Sequence, residues 1–187
     1  MATPERPYHH GDLRRALLER AIEVIDDVGP GAMSMREVSR RAGVTHAAAT
    51  HHFGDKAGLL TAIATEGYEL LGRALREARE RERNFLEVGV AYVRFAVEHR
   101  AHFEVMFRPE LYHQDNEQLE AAKAITAGML YGSDNATDAQ LADGVAAWAI
   151  VHGVAALWLD GNLPERLGDD PEQITRVVAS RLRVKRS

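Results

Sequence analysis

Cysteine is absent from the 187 residues, which excludes disulfides, thiolate metal sites and cysteine nucleophiles and suits a reducing compartment. Long apolar runs are lacking too. No stretch approaches the roughly 20 uninterrupted apolar residues of a membrane span, and the opening MATPERPYHHGD has no signal-peptide core. A cytoplasmic protein with no membrane partner is therefore expected. Alternating β-branched runs are missing, which argues against strands. A phosphate-cradling glycine loop at a helix start and a nucleophile–base–orienter set are also missing, which argues against an enzyme. Positive charge is scarce: the net charge is −5, on its face unfavourable for phosphate binding. The deficit is unevenly placed. Residues 1–60 hold eight Lys/Arg and eight Asp/Glu, and the remaining fifteen and twenty lie beyond. Five of the nine histidines also fall in that first third, so a small local surface for DNA remains open.

What is present is helical periodicity. With 45% hydrophobic residues the chain can bury a substantial core. From Asp12, Leu13, Leu17, Ala21, Val24, Ile25 and Val28 recur at spacings of three and four until GPG at 29–31. A second helix is expected from Ser34, with Glu37 completing a capping box, to Gly43. Thr45 starts a short third helix. Asp55 starts a fourth with the stripe Leu59, Leu60, Ile63, Tyr68, Leu71 and Leu75. REARERER at 76–83 reads as a charged helix end and a boundary. Asn84 caps a fifth helix, AHFEVMF follows and Pro109 closes it. Helices are also expected over 116–132, 139–159 and 171–183, giving an all-α fold of about nine helices.

The stretch VTHAAATHHFGDK, residues 44–56, carries the chemistry. Two short helices joined at a glycine are a helix-turn-helix pattern, here spanning 34–53, in which the second helix enters the major groove. Turning about 100° per residue places His46, Ala47, Thr50 and His51 on one arc and Ala49, His52 and Phe53 on the other. Small alanines let a helix sit deep in a groove, and a Thr methyl can meet a thymine methyl. His51 and His52 are adjacent and point apart, which disfavours a shared metal, and His52 is expected to pack inward. Lys56 at the next helix start is placed for phosphate contact. His9 and His10 read as a flexible arm.

These residues resemble the tetracycline-repressor (TetR) family of transcriptional regulators. The likeness runs through YHHGDLRRALLERAIEVIDDVG and MSMREVSRRAGVTHAAATHHFGDKAGLL, about residues 8–71. It implies a homodimer whose two such domains occupy successive major grooves of a near-palindromic double-stranded DNA operator, released by a small ligand in the C-terminal domain. It assigns DNA-facing roles to Thr45, His46, Ala47, His51 and Lys56, with Arg36 and Arg40 as further candidates and Arg14 and Arg15 as possible phosphate contacts. Thr50 departs from the aromatic residue usual at its place. That shortens its reach to the backbone and favours a base-edge or methyl contact.

In the remainder, AWAIVHGVAALWLDG, residues 147–161, stacks Trp148 and His152 on one helix face with Gly153 adjacent. This resembles, more loosely, a Trp-His-Gly-containing C-terminal domain of one branch of the family, over about 84–185. HFEVMFRPEL fits the same branch. His152 is either an effector contact or a hydrogen-bonded core residue. An effector cavity is expected to be lined by Tyr92, Phe95, Phe103, Met106, Phe107, Met129, Trp148 and His152, and their low charge suits an apolar or aromatic molecule. Simple core packing is the alternative for such a stripe. Glu98, His99, His102 and Glu104 lack a further ligand at metal-site spacing, so neither a metal nor a cofactor is expected. Helix 139–159 is more apolar than one buried face requires, so the last two helices are expected to form the dimer. The leading expectation is a ligand-responsive repressor. The alternatives are a regulator controlled by a protein partner and, remotely, a helical enzyme.

Overall fold

The structure is a computed structural model that describes residues 10–82, 84–132 and 135–181. His9 and the side chain of His10 lie outside the described residues. Nine α-helices are found among these residues: α1 His10–Ala32, α2 Met35–Arg41, α3 His46–Phe53, α4 Lys56–Glu82, α5 Phe85–Glu98, α6 Arg100–Met106, α7 Glu117–Tyr131, α8 Asp138–Leu159 and α9 Pro171–Ala179. Short 3-10 turns at Pro109–Leu111 and Glu165–Leu167 complete them.

Most helix starts are set by short polar side chains that accept an otherwise unpartnered N–H. Ser34 Oγ accepts from Glu37 N, Thr45 Oγ1 from Ala48 N, Asn84 Oδ1 from Leu86 N and Asn116 Oδ1 from Leu119 N. Asp170 Oδ1 accepts from both Glu172 N and Gln173 N. At Thr137 the cap is reciprocal, because Gln140 Oε1 accepts from Thr137 N. The reciprocal half of the box expected at Ser34 does not form. Glu37 turns to Arg40 and Arg41 instead, at 2.7–2.9 Å. The GPG sequence acts as expected: Gly29 takes φ 77° and breaks the helical path of α1.

Two apolar clusters share α4. The first gathers Leu17, Ala21 and Ile25 of α1, Val38 of α2, Ala49 of α3 and Leu59, Leu60 and Ile63 of α4. It continues into Ala101 and Val105 of α6. The second joins Leu71, Leu75 and Ala78 of α4 to Tyr92 and Phe95 of α5, Phe103 and Met106 of α6, Val151 and Val154 of α8 and Ile174 of α9. The expected boundary at 76–83 is therefore corrected in part. α4 runs through REARERE to Glu82 because Ala78 is still buried while the charges point outward. At Gly67 a Cβ would stand 2.5 Å from Met106 Sδ, so the glycine permits the close approach of α6 to α4. α9 ends at Ala179 rather than 183, and residues 182–187 lie outside the described part.

The expectation of no membrane-length apolar segment also needs amending. α8 has 22 residues and is long and apolar enough, by length and composition, to cross a bilayer. Asp138 and Asp143 interrupt its first half. Leu141, Val145 and Leu157 remain exposed, and nothing lies within 4 Å of a Cβ built on Gly153.

Candidate nucleic-acid interface and effector cavity

α3 shows the two faces its sequence predicts. Ala49 is fully buried against the first cluster, whereas Thr45, His46, Ala47, Thr50 and His51 are exposed. His52 and Phe53 are half-buried, with the guanidinium of Arg14 5.2 Å from the Phe53 ring centre. The turn before α3 depends on Gly43 at φ 68°, a left-handed conformation costly to other residues. The turn after it depends on a contact that composition does not reveal. A Cβ on Gly58 would lie 2.0 Å from the Phe53 carbonyl oxygen, so glycine lets the first turn of α4 close against the end of α3.

The polar groups are partly engaged already. Thr50 Oγ1 donates to the His46 carbonyl at 3.0 Å, leaving its oxygen lone pairs and methyl group as what it can offer outward. Lys56 Nζ donates to the Gly31 carbonyl at 2.6 Å, which holds the ammonium beside the break between α1 and α2. Two of its three N–H donors remain. Arg36 is exposed, and none of the ion pairs among the described residues involves it. Arg40 is exposed but clasps Glu37. Arg41, not picked out from the sequence, bridges Glu37 and Asp27 at 2.9 and 2.7 Å and so ties α2 to the end of α1. Arg40 first, then Arg41, holds the Glu37 carboxyl well below its usual range, at about 2. Arg15 is paired with Glu66 and Glu19, which makes it a link between α1 and α4.

Asp55 precedes α4 and accepts from Gly58 N at 2.7 Å, which together with nearby His113 lowers its pKa. His113 Nε2 lies 3.3 Å from Asp55 Oδ1, and its backbone N–H donates to Thr61 Oγ1 at 3.0 Å. The connector between α6 and α7 thus touches the start of α4, next to the end of α3.

Two cavities flank Trp148. One, of about 220 Å³, lies among α5, α7, α8 and α9 and includes Tyr92, Met129, Val151 and Trp148 in its lining. The other, of about 470 Å³, lies among α4, α6, α7 and α8 and includes Tyr68, Met106, Phe107, Tyr112, Tyr131 and Trp148. Of the expected cavity residues, Tyr92, Met106, Phe107, Met129 and Trp148 reach one or both. Phe95 faces a small groove between α4 and α5, and Phe103 packs in the second cluster. His152 borders neither cavity. Tyr68, Tyr112 and Tyr131 were missed because they sit on three separate segments whose convergence only folding reveals.

Instead, His152 belongs to a hydrogen-bonded chain. Trp148 Nε1 donates to the hydroxyl oxygen of fully buried Tyr92 at 3.2 Å, and that hydroxyl lies 2.9 Å from His152 Nδ1. An indole N–H can only donate. With the indole as donor, the Tyr92 hydroxyl is free to donate to Nδ1, the arrangement that goes with an imidazole protonated on Nε2. Burial lowers the His152 pKa in the same direction, towards the neutral ring. The Phe107 ring stands edge-on to it, 4.5 Å between centres. On the metal question, Glu104 pairs with Arg100, while His102 turns to Glu66 at 3.7 Å, too far for a hydrogen bond.

Comparison with known proteins agrees with this arrangement. Residues 17–63 match the family described as bacterial regulatory proteins, tetR family. Residues 85–182, just over half the chain, match the tetracyclin repressor-like C-terminal domain. The HTH-type transcriptional regulator BetI of Pseudomonas paraeruginosa is 38% identical over 66 residues, covering 35% of this chain and 34% of that protein. BetI of Rhizobium meliloti is 43% identical over 65 residues, covering 35% and 30%. The chain thus matches about a third of the length of these relatives. A Rhodococcus sp. RHA1 protein of unknown function is 30% identical in structure-based alignment, covering 95% of this chain and 96% of that one, with a TM-score of 0.75. The TetR family regulator PfmR of Thermus thermophilus shares the fold at a TM-score of 0.68, with 20% identity over 88% and 94% of the two chains. With both halves matched and the helix-turn-helix geometry in place, the chain belongs to the TetR family of bacterial transcriptional regulators rather than to an enzyme family.

Proposed function

We propose that this chain is a ligand-responsive repressor that binds a near-palindromic operator as a homodimer in the cytoplasm. Residues 8–71 bind DNA, and residues 84–185 hold the effector and dimer contacts. The observation that carries the reading is the exposed arc of His46, Ala47, Thr50 and His51 on a helix anchored from behind by Ala49. In this reading His46, Ala47 and Thr50 meet base edges. Thr45, His51, Lys56, Arg36 and Arg40 meet phosphates and fix the register.

The dimer forms through α8 and α9. The exposed Leu141, Val145 and Leu157, together with Val177 of α9, make an apolar surface that supports a second copy. Around Gly153 there is room for a close helix crossing. A two-fold axis through these helices matches an inverted-repeat operator. The effector is a small molecule with an apolar or aromatic body, and the cavity among α4, α6, α7 and α8 is of the size used for such ligands, roughly 300–1,000 Å³. Selection of bound sequences from a random DNA pool tests the first half: an enriched inverted repeat is expected, and no enrichment overturns it. Screening small molecules for release of that site tests the second half.

A further inference from the structure

A groove separates the end of α3 from the start of α7. His52, Phe53 and Gly58 line it on one side, and His113, Asn116 and Gln118 on the other. His113 is the residue that reaches across. Its Nε2 lies 3.3 Å from Asp55 Oδ1, and its backbone N–H donates to Thr61 Oγ1 at 3.0 Å. Among the described residues of the C-terminal half, it alone makes a hydrogen bond or ion pair with residues 53–61. Both contacts fall on the first turns of α4, where the end of α3 is fixed. Asp55 Oδ1 accepts from Gly58 N, and Asp55 N donates to the Phe53 carbonyl at 2.9 Å. That carbonyl is also the atom against which Gly58 closes. Thr61 Oγ1 passes the contact on, since it accepts from His113 and donates to the Ala57 carbonyl at 2.8 Å. A displacement of this turn therefore carries Phe53 and the last turn of α3, with Thr50 and His51 on it.

His113 holds this turn from a fixed base. Tyr112, the residue before it, is buried in the first cluster with its hydroxyl donating to the Met106 carbonyl at 3.0 Å, and Leu119 is buried there as well. The Gly58 N–H first, and then His113, keep the Asp55 carboxyl below its usual range. An ionised carboxylate can only accept, so the contact uses a proton on Nε2, which the neutral ring or the imidazolium can supply. The two side chains are 52% and 64% exposed, so the pair adds little to global stability. Its effect is on position. Holding the first turn of α4 raises the fraction of molecules whose α3 is set for a groove, and apparent affinity scales with that fraction.

We propose that His113 is a positioning residue for DNA recognition: from the connector between α6 and α7 it holds the turn at 55–61, and through it α3, in the orientation that reads the operator. The inference rests on the operator reading above and goes beyond it, because His113 lies outside residues 8–71 and acts without touching DNA.

The test uses the full chain and the duplex enriched from the random pool. His113→Ala is expected to lower affinity for that duplex about three- to tenfold, the size of one hydrogen bond. Affinity for scrambled DNA and the salt slope should not change, because no phosphate contact is lost. His113→Gln, whose amide N–H can take the place of the one on Nε2, should stay within about twofold of the parent. Thr61→Val should repeat the loss and Thr61→Ser restore the affinity. Hydrogen exchange read by mass spectrometry supplies a measurement that a general loss of stability would not reproduce. In His113→Ala the amides of residues 54–61 should exchange about three- to tenfold faster while those around Tyr92 and Val151 keep their rates. Equal operator affinity of His113→Ala and the parent overturns the proposal, as does a loss in His113→Gln as large as in His113→Ala. Faster exchange throughout both clusters overturns it in favour of a structural role, and a changed salt slope in favour of a phosphate contact. If the pool yields no enriched duplex, the operator reading fails separately, and the exchange difference between His113→Ala and His113→Gln still decides whether His113 holds the turn.

Discussion

Replacing Tyr92 with Phe removes one oxygen from the second core and leaves its shape almost unchanged, so the loss isolates the Trp148–Tyr92–His152 chain. Two hydrogen bonds disappear, from Trp148 Nε1 and to His152 Nδ1. Each ordinarily contributes about 1 kcal/mol net, and a partner left buried costs about 1–3 kcal/mol. Trp148 and His152 are only half-buried, so water can reach part of each ring and the lower end applies. The expected destabilisation is about 2 kcal/mol. For a chain of this size that is a fall in Tm of roughly 4–8 °C. Urea denaturation with unchanged slope would give the free energy, and a double-mutant cycle with Trp148→Phe should show coupling of at least about 0.5 kcal/mol. The reasoning also fixes a pH dependence. Because burial lowers the folded His152 pKa, the unfolded chain binds the extra proton first, and stability falls as pH drops below about 6.5. In Tyr92→Phe the Nδ1 atom no longer accepts the phenol proton, so the folded ring protonates more readily and this acid loss shrinks. A Tyr92→Phe protein within about 0.5 kcal/mol of the parent, with the same acid limb, would refute the hydrogen-bond order.

Gly58→Ala should cost about 2 kcal/mol or more despite alanine's better helix propensity, because its Cβ meets the Phe53 backbone; thermal denaturation and operator binding should both register it. Lys56→Ala is expected to weaken cognate and scrambled DNA alike and to reduce the salt slope by about 1, whereas His46→Ala or Thr50→Ala should change preference at one or two base pairs by about 1–3 kcal/mol. Equal losses on all sequences for all three variants would refute that division, as seen in titrations at several salt concentrations. Leu157→Glu places a charge on the exposed apolar face of α8. It should shift the protein to monomer in sedimentation and lower operator affinity while leaving the fold, read by circular dichroism, intact.

The helix starts were legible because capping is local: a Ser, Thr, Asn or Asp meets an N–H two or three residues on, and Ser34, Thr45, Asn84 and Asn116 do so where expected. The outward arc of α3 was legible for the same reason, since it follows from helical rotation alone. The fate of Glu37 was not, because two arginines compete with the cap for one carboxylate. Nor was the length of α4, whose last turns look solvated until Ala78 is seen against the second core. Gly58 gave no signal, since its constraint is a backbone oxygen from the preceding helix. The aromatic cavity lay furthest from view: Tyr68, Tyr112 and Tyr131 are brought together by packing among three segments, and in sequence Tyr68 reads as part of a core stripe.

The unbroken path of α4 has a mechanical consequence. With 27 residues it is a rod about 40 Å long, and neither a proline nor a positive-φ glycine interrupts it where it passes from one core to the other and a hinge would dissipate motion. Pivoted at its Glu82 end, a tilt of roughly 5° carries Lys56 and the adjoining end of α3 about 3.5 Å, close to the ~3.4 Å rise of one base pair. Angular stiffness along this single helix therefore sets how finely the two halves of the molecule are geared to each other.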